Sequence, residues 1–208
     1  MLSAAILGNA HAPRRGRLPH ERGMTLIELV IGLVLVGIVL AIGLPDLSLW
    51  LANSRIRTAA ESIQDGLRFA RGEALRLNTP VRFQITAATS DWTVCIPVTP
   101  ASTDCVGAQV LQQHSGQDAV NGIAVGGWTA VQANYAASTT SGTPNGVTFG
   151  VLGAAGAAGD LVRIDVTNPA IAANAGMRWL VVNVSAGGQV LMCDPSPSLP
   201  ATSPMHCL

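Results

Sequence analysis

The sequence predicts an α+β chain: a long N-terminal helix, apolar enough in its first half to cross a membrane, whose second half packs on an antiparallel β-sheet domain. Three patterns carry that reading. Met24 to Leu44 is an almost unbroken apolar run. From Ile56 to Leu77 apolar residues recur every three or four positions, the period of an amphipathic helix. Beyond Asn78-Thr79-Pro80 the chain turns to short β-branched and alternating segments separated by turn residues.

The 208 residues suit one domain plus an attached segment. All twelve basic side chains are Arg. Arg14, Arg15, Arg17 and Arg22 precede the apolar run with only Glu21 against them, a flank of net +3. The chain beyond Gly23 holds eight Arg against eleven acids, a balance of −3 that argues against a broad polyanion-binding surface.

The apolar run has twenty-one residues, of which only Thr25 and Glu28 are markedly polar. As a helix it spans about 30 Å, the thickness of a bilayer's hydrocarbon core. Positive charge ahead of it predicts a cytoplasmic N-terminus and an exported C-terminal domain. A removable secretory signal has a shorter core and a small-residue cleavage site after it. Here the run passes through Gly43-Leu44-Pro45 into helical sequence, so it is expected to stay. A plain anchor accounts for length, flank and topology but not for Glu28. A carboxylate inside a membrane helix costs roughly 2.5–3.5 kcal/mol, so such acids ordinarily have a partner.

Pro45 removes a backbone donor and is expected to kink or locally open the helix. Ile56, Ala59, Ala60, Ile63, Leu67, Ala70, Ala74 and Leu77 then form the apolar face. Gly66 and Gly72 each cost about 1 kcal/mol relative to Ala, so this helix needs a domain packed against it. The expected strands are Val81–Ala87, Trp92–Val98, Val110–His114, Val147–Leu152, Leu161–Thr167, Trp179–Ser185 and Gln189–Cys193. Gly153 to Gly159, GAAGAAG, reads as a flexible loop, and Ala133 to Asn145 as another connection. The tail from Asp194 holds four prolines in fifteen residues and cannot form an interior strand.

Cys95, Cys105, Cys193 and Cys207 all lie beyond the apolar run. Their spacing is too wide for the tight pairs of a zinc site, so disulfides and an oxidising compartment are expected. Three pairings are open. The sequence-local one, Cys95–Cys105 with Cys193–Cys207, is favoured and would pin the tail to the domain.

Gly23-Met24-Thr25-Leu26-Ile27-Glu28-Leu29, with a basic leader before it and an apolar helix after it, resembles the processing motif of type IV pilins and type II secretion pseudopilins. The resemblance implies a prepilin peptidase that cuts after Gly23, removes residues 1–23 and methylates the new N-terminus, Met24. Glu28 then takes the fifth mature position, where the family has its glutamate. There it can meet the amine of a neighbouring subunit, an attraction far stronger in an apolar core than in water. Met24 departs from the family's usual Phe. Residues 24–44 become the transmembrane and assembly helix, 45–79 its amphipathic continuation, and 80–208 the periplasmic domain. Leu67 to Phe83, LRFARGEALRLNTPVRF, and Gly187 to Cys193, GGQVLMC, are similar to the FimT/GspH branch, with its F-A-R-x-E-A string and its final G-x-x-x-x-C hairpin.

The implied function is that of a minor pilin or pseudopilin in a type IV pilus or type II secretion pseudopilus, at the tip or in filament initiation. Its partners would be other pilins or pseudopilins, the peptidase, an inner-membrane assembly platform and, before assembly, membrane lipid. The alternative is a pilus-tip protein that binds DNA or another ligand. Gly187 to Leu208 contains no Arg or Lys, and Arg163 and Arg178 offer few phosphate contacts, so direct DNA recognition is not expected. Arg68, Arg71, Arg76 and Arg82 form the one dense basic stretch and read as a solvated helix face. His11 and His20 lie in the leader, and His114 and His206 far apart, without neighbours at ligand spacing. No catalytic activity, metal or cofactor is expected.

Overall fold

The computed structural model of the protein describes residues 23–86, 89–100, 102–115, 122–130, 135, 145–171 and 176–207, and of residues 42–46 the backbone alone. The basic leader, most of the expected 133–145 connection and the Pro45 side chain therefore lie outside the described residues. The first helix, α1, covers Leu26–Leu77. Its helical backbone passes through Pro45 without interruption. It ends where the sequence predicts: Asn78 takes a left-handed φ of 51°, the usual way a helix closes, and Pro80 prevents continuation. By contacts the chain divides into two units, Met1–Gly43 and Leu44–Leu208.

Among its described residues the second unit contains eight strands: β1 (Val81–Ile85), β2 (Trp92–Ile96), β3 (Gln109–His114), β4 (Ala124–Trp128), β5 (Gly146–Phe149), β6 (Arg163–Thr167), β7 (Leu180–Val184) and β8 (Val190–Cys193). They form two four-stranded antiparallel sheets, ordered β3-β2-β1-β5 and β4-β6-β7-β8, where the sequence predicts a single sheet. Ahead of β6, Leu161 donates to the Gly146 carbonyl of β5 at 3.0 Å, but among the described residues β5 pairs with no strand of the second sheet. Strand β4 is an addition to the expected seven. Its sequence AVGGW carries two glycines, poor strand formers, yet a Cβ at Gly127 would press on Leu161 at 2.8 Å.

One apolar core joins these layers. Ile56, Ala59, Ala60, Ile63, Leu67, Ala70 and Ala74 are buried along one face of α1. Against them lie Val81, Phe83, Val94, Val147 and Phe149 of the first sheet and Val125, Ile164, Val166, Val182 and Val190 of the second. Gly66 explains how the helix comes so close: a Cβ there would meet the rings of Phe83 and Trp92 at 2.8 and 2.9 Å. Gly72 has no such neighbour.

Candidate assembly site

The N-terminal segment begins with Gly23, Met24 and Thr25 outside the helix and exposed. Thr25 is the N-cap. Its hydroxyl accepts from the Glu28 N–H at 3.3 Å, and its carbonyl accepts from the Leu29 N–H at 3.2 Å. Thr-x-x-Glu ahead of an apolar run is the capping-box pattern, a signal present in the sequence that attention to the charge of Glu28 alone misses. Glu28 also stands in the first turn, where the helix dipole favours a carboxylate by about 0.3–1 kcal/mol. Among the described residues its carboxylate meets no cation.

Every side chain from Leu26 to Ala41 is exposed. Leu26, Leu33 and Val39 are 82, 69 and 69% accessible. A helix that is apolar all round needs a covering, by lipid or by other apolar helices. Among the described residues no helix is long and apolar enough to cross a membrane; the described side chains break off at Ala41 and resume at Leu47.

In the second unit, two sequence strings singled out separately meet in space. Arg71, from Phe69-Ala70-Arg71-Gly72-Glu73-Ala74, donates from Nε to the Gly153 carbonyl at 3.1 Å and from Nη2 to the Gly187 carbonyl at 3.3 Å. Gly188, at a φ of 73°, packs on the Gly153 carbonyl too closely for any Cβ. The Ala155 N–H donates to the Ala186 carbonyl at 3.0 Å. The GAAGAAG segment is thus tied to the helix and to the last hairpin, in contrast to the free loop its composition suggests.

The expected solvated arginine face also resolves differently. Arg82 is buried on β1, donating from Nη1 to Asp160 at 3.1 Å and Thr148 at 2.7 Å and from Nη2 to Asn145 at 2.7 Å. Asp160 accepts in addition from the Thr148 and Ala157 N–H groups. Position 82 alternates with Val81 and Phe83 and so faces away from the helix, which is why a helical reading misplaces it. Arg76 pairs at the surface with Glu73.

Arg163 is likewise unavailable as a phosphate contact. It makes two hydrogen bonds to Asp165, at 2.6 and 2.9 Å, and its guanidinium lies 4.7 to 5.6 Å from the ring centres of Tyr135, Trp179 and Trp128. Trp128 Nε1 donates to Asp165 at 3.0 Å. Burial pushes the Asp165 carboxyl above its ordinary value, against the opposing hydrogen bonds from Arg163 and Trp128 and the Arg163 charge. Trp92 lies in the core with Nε1 donating to Ser62 at 3.1 Å, and Trp50 is exposed.

Cys95–Cys105 closes the β2–β3 connection with Cα atoms 5.8 Å apart, and Cys193–Cys207 fastens the tail to β8 at 5.0 Å. The tail adds a parallel bridge, Asp194 to His206, and Asp194 N–H donates to the Met205 carbonyl at 2.6 Å. His114 stacks on Trp92 with ring centres 5.6 Å apart, so the two histidines of the domain serve separate places. Among the described residues no three His, Cys, Asp or Glu side chains are placed to hold a metal ion.

Comparison with known proteins adds two family matches. The family described as type II transport protein GspH matches residues 59–188, and the prokaryotic N-terminal methylation motif matches residues 18–44. No curated protein matches the chain. Among solved structures, the type IV minor pilin FimU of Pseudomonas aeruginosa strain PAO1 overlaps in two crystal forms. The TM-scores are 0.43 and 0.42, with 16% and 19% identity, covering 65% and 67% of this chain and 90% and 88% of the FimU chains.

Proposed function

The chain belongs to the GspH family of minor pilins and pseudopilins, and from that premise we propose that it is a non-catalytic filament subunit acting at the tip or in filament initiation. A prepilin peptidase cuts between Gly23 and Met24 on the cytoplasmic face and methylates Met24. Residues 24–44 hold the chain in the inner membrane, with the domain in the periplasm, until the assembly platform transfers it to the filament. The observation that carries this reading is a helix apolar on every side from Leu26 to Ala41, capped at Thr25 and bearing a single carboxylate at Glu28.

In the apolar interior of a filament, Glu28 faces the freed amine of a neighbouring subunit. A subunit in the wrong register leaves that carboxylate unmatched, so the pair sets stagger as well as attraction. Pro45, which has no backbone N–H to donate, is the place where the helix can open on leaving the membrane. The two disulfides keep the domain intact in an oxidising compartment. Incorporation of Glu28→Ala into filaments tests the reading. Cleavage should persist while the variant's share of the filament falls; undiminished incorporation would show that the carboxylate has no part in assembly.

A further inference from the structure

Near the start of its helix the second unit holds a cavity of about 500 Å³, lined by Trp50, Arg57, Arg178, Met192, Asp194 and Met205 among others. Two of its walls are fixed. Asn53 accepts from the Arg178 N–H at 2.9 Å and donates to the Gly176 carbonyl at 3.2 Å. The Cys193–Cys207 bond and the Asp194 N–H donation to the Met205 carbonyl hold the tail in place on the other side. The charges here are only partly matched. Asp194 is 6% accessible, and its carboxylate accepts from the Ser196 N–H at 2.9 Å but meets no cation among the described residues. Buried carboxylates are ordinarily paired. Arg178 is exposed and likewise has no carboxylate partner among the described residues, whereas Arg57 is taken by Glu61 at 2.8 Å.

We propose that this cavity takes the headgroup of phosphatidylethanolamine from the periplasmic leaflet of the membrane that holds the chain. The primary ammonium, with its N–H donors, enters toward Asp194, and the phosphate stays at the exposed rim beside Arg178. The inference rests on one part of the proposed function, the retention of residues 24–44 in the membrane, and goes beyond it by naming a lipid site in the domain. Charge decides the ligand. One unmatched acid inside and one unmatched cation at the rim suit a zwitterion. Phosphatidylglycerol would leave Asp194 without a cation, and the quaternary ammonium of phosphatidylcholine has no N–H to donate. Position decides the source. Trp50, 65% accessible, lies six residues beyond Leu44, about 9 Å along the helix. Helical side chains lean toward the N-terminus, here the membrane, and amphipathic indoles gather at bilayer surfaces. In the lipid the phosphate lies nearer the acyl chains than the amine does, the same order as exposed Arg178 and buried Asp194. Occupancy steadies the domain on the membrane before transfer to the filament, which leaves the lipid behind.

The test uses the full chain, made in cells containing a prepilin peptidase and purified in detergent micelles doped with equal amounts of phosphatidylethanolamine, phosphatidylglycerol and phosphatidylcholine. Native mass spectrometry counts the lipids retained. One phosphatidylethanolamine should be held per chain, roughly ten-fold above either competitor, as suits hydrogen bonds to a charged group. Asp194→Asn should erase that preference. Arg178→Gln should lower phosphatidylethanolamine retention about three-fold, and it alters an exposed side chain, so it reads the site even if Asp194→Asn loosens the tail. Glycerophosphoethanolamine, the same headgroup without acyl chains, should not displace the lipid at equal concentration; displacement would make the ligand a soluble one and overturn the membrane source. Equal retention of the three lipids, a preference for phosphatidylglycerol, or a preference untouched by both substitutions would overturn the proposal. The mass of the same chains reads N-terminal processing. A chain cut after Gly23 that shows no preference rejects the lipid site and leaves the filament reading standing; an uncut chain that keeps the preference supports the site and rejects the filament reading.

Discussion

Arg71 Nη2 lies 3.3 Å from the Gly187 carbonyl oxygen, joining the C-terminal part of the long helix to the turn of the last hairpin across 116 positions of sequence. Its Nε holds the Gly153 carbonyl at 3.1 Å, so one planar guanidinium fastens three parts of the chain. The geometry suits Arg, with donors fixed in a fork, and does not suit Lys. Arg71→Ala should therefore cost about 1–3 kcal/mol in denaturant unfolding of the full chain in detergent, and Arg71→Lys should recover little of it. Recovery by Lys would mean that charge alone matters there.

The two helix glycines should respond to Ala in opposite directions. Gly72 has open space, so Gly72→Ala should stabilise by about 0.5–1 kcal/mol through helix propensity. At Gly66 a methyl meets the Phe83 and Trp92 rings below 3.0 Å, and overpacking costs typically about 1–3 kcal/mol, outweighing that gain. Paired melting curves of the two variants decide the matter; equal shifts would refute the close approach of helix and sheet.

Asp160→Ala should be among the most damaging single changes. It strands the Arg82 guanidinium in the interior, and breaking a buried pair by removing one partner costs roughly 3–5 kcal/mol. The double replacement Arg82→Met/Asp160→Ala should cost less than Asp160→Ala alone, since no uncompensated charge remains. Chemical unfolding of the three proteins provides the comparison.

Asp165 should leave a signature in the pH dependence of stability. Its folded value is raised by burial, so as pH falls from neutrality the folded chain takes up this proton before the unfolded chain does. The ionised carboxylate thus carries a cost at higher pH, which is relieved as pH drops through the raised value towards 3.8. Glu73 works in the opposite sense. Its hydrogen bond from Arg76 lowers its value, so the stability it adds is present above 4.5 and lost as pH falls through the lowered value. Comparing the pH–stability curves of Asp165→Asn and the unaltered chain isolates the first effect: the variant should lack the relief on acidification.

Much of the fold is legible in local pattern. The helix, its end at Asn78, seven of the strands and the sequence-local cysteine pairing come from periodicity, turn chemistry and spacing. What the pattern hides is tertiary. Strand β4 escapes notice because AVGGW has poor strand propensity, and its Gly127 leaves the room that Leu161 fills. The division into two sheets depends on where one ladder stops, which alternation within a strand does not encode. Arg82 and Arg163 look solvent-facing as charges in a string. Each is buried instead: Arg82 meets the distant carboxylate of Asp160, and Arg163 meets Asp165 among aromatic rings. At the N-terminus the capping role of Thr25 is readable from Thr-x-x-Glu, whereas the proposed partner of the Glu28 carboxylate lies in another molecule.

Everything proposed about assembly depends on the cut at Gly23/Met24 that frees an amine. Mass spectrometry of the mature N-terminus, on chain purified from cells containing a prepilin peptidase, decides whether that cut occurs. The expected product is a polypeptide beginning at Met24 with one methyl group on its amine. An intact Gly23–Met24 bond would contradict it and leave the chain a plain anchored domain.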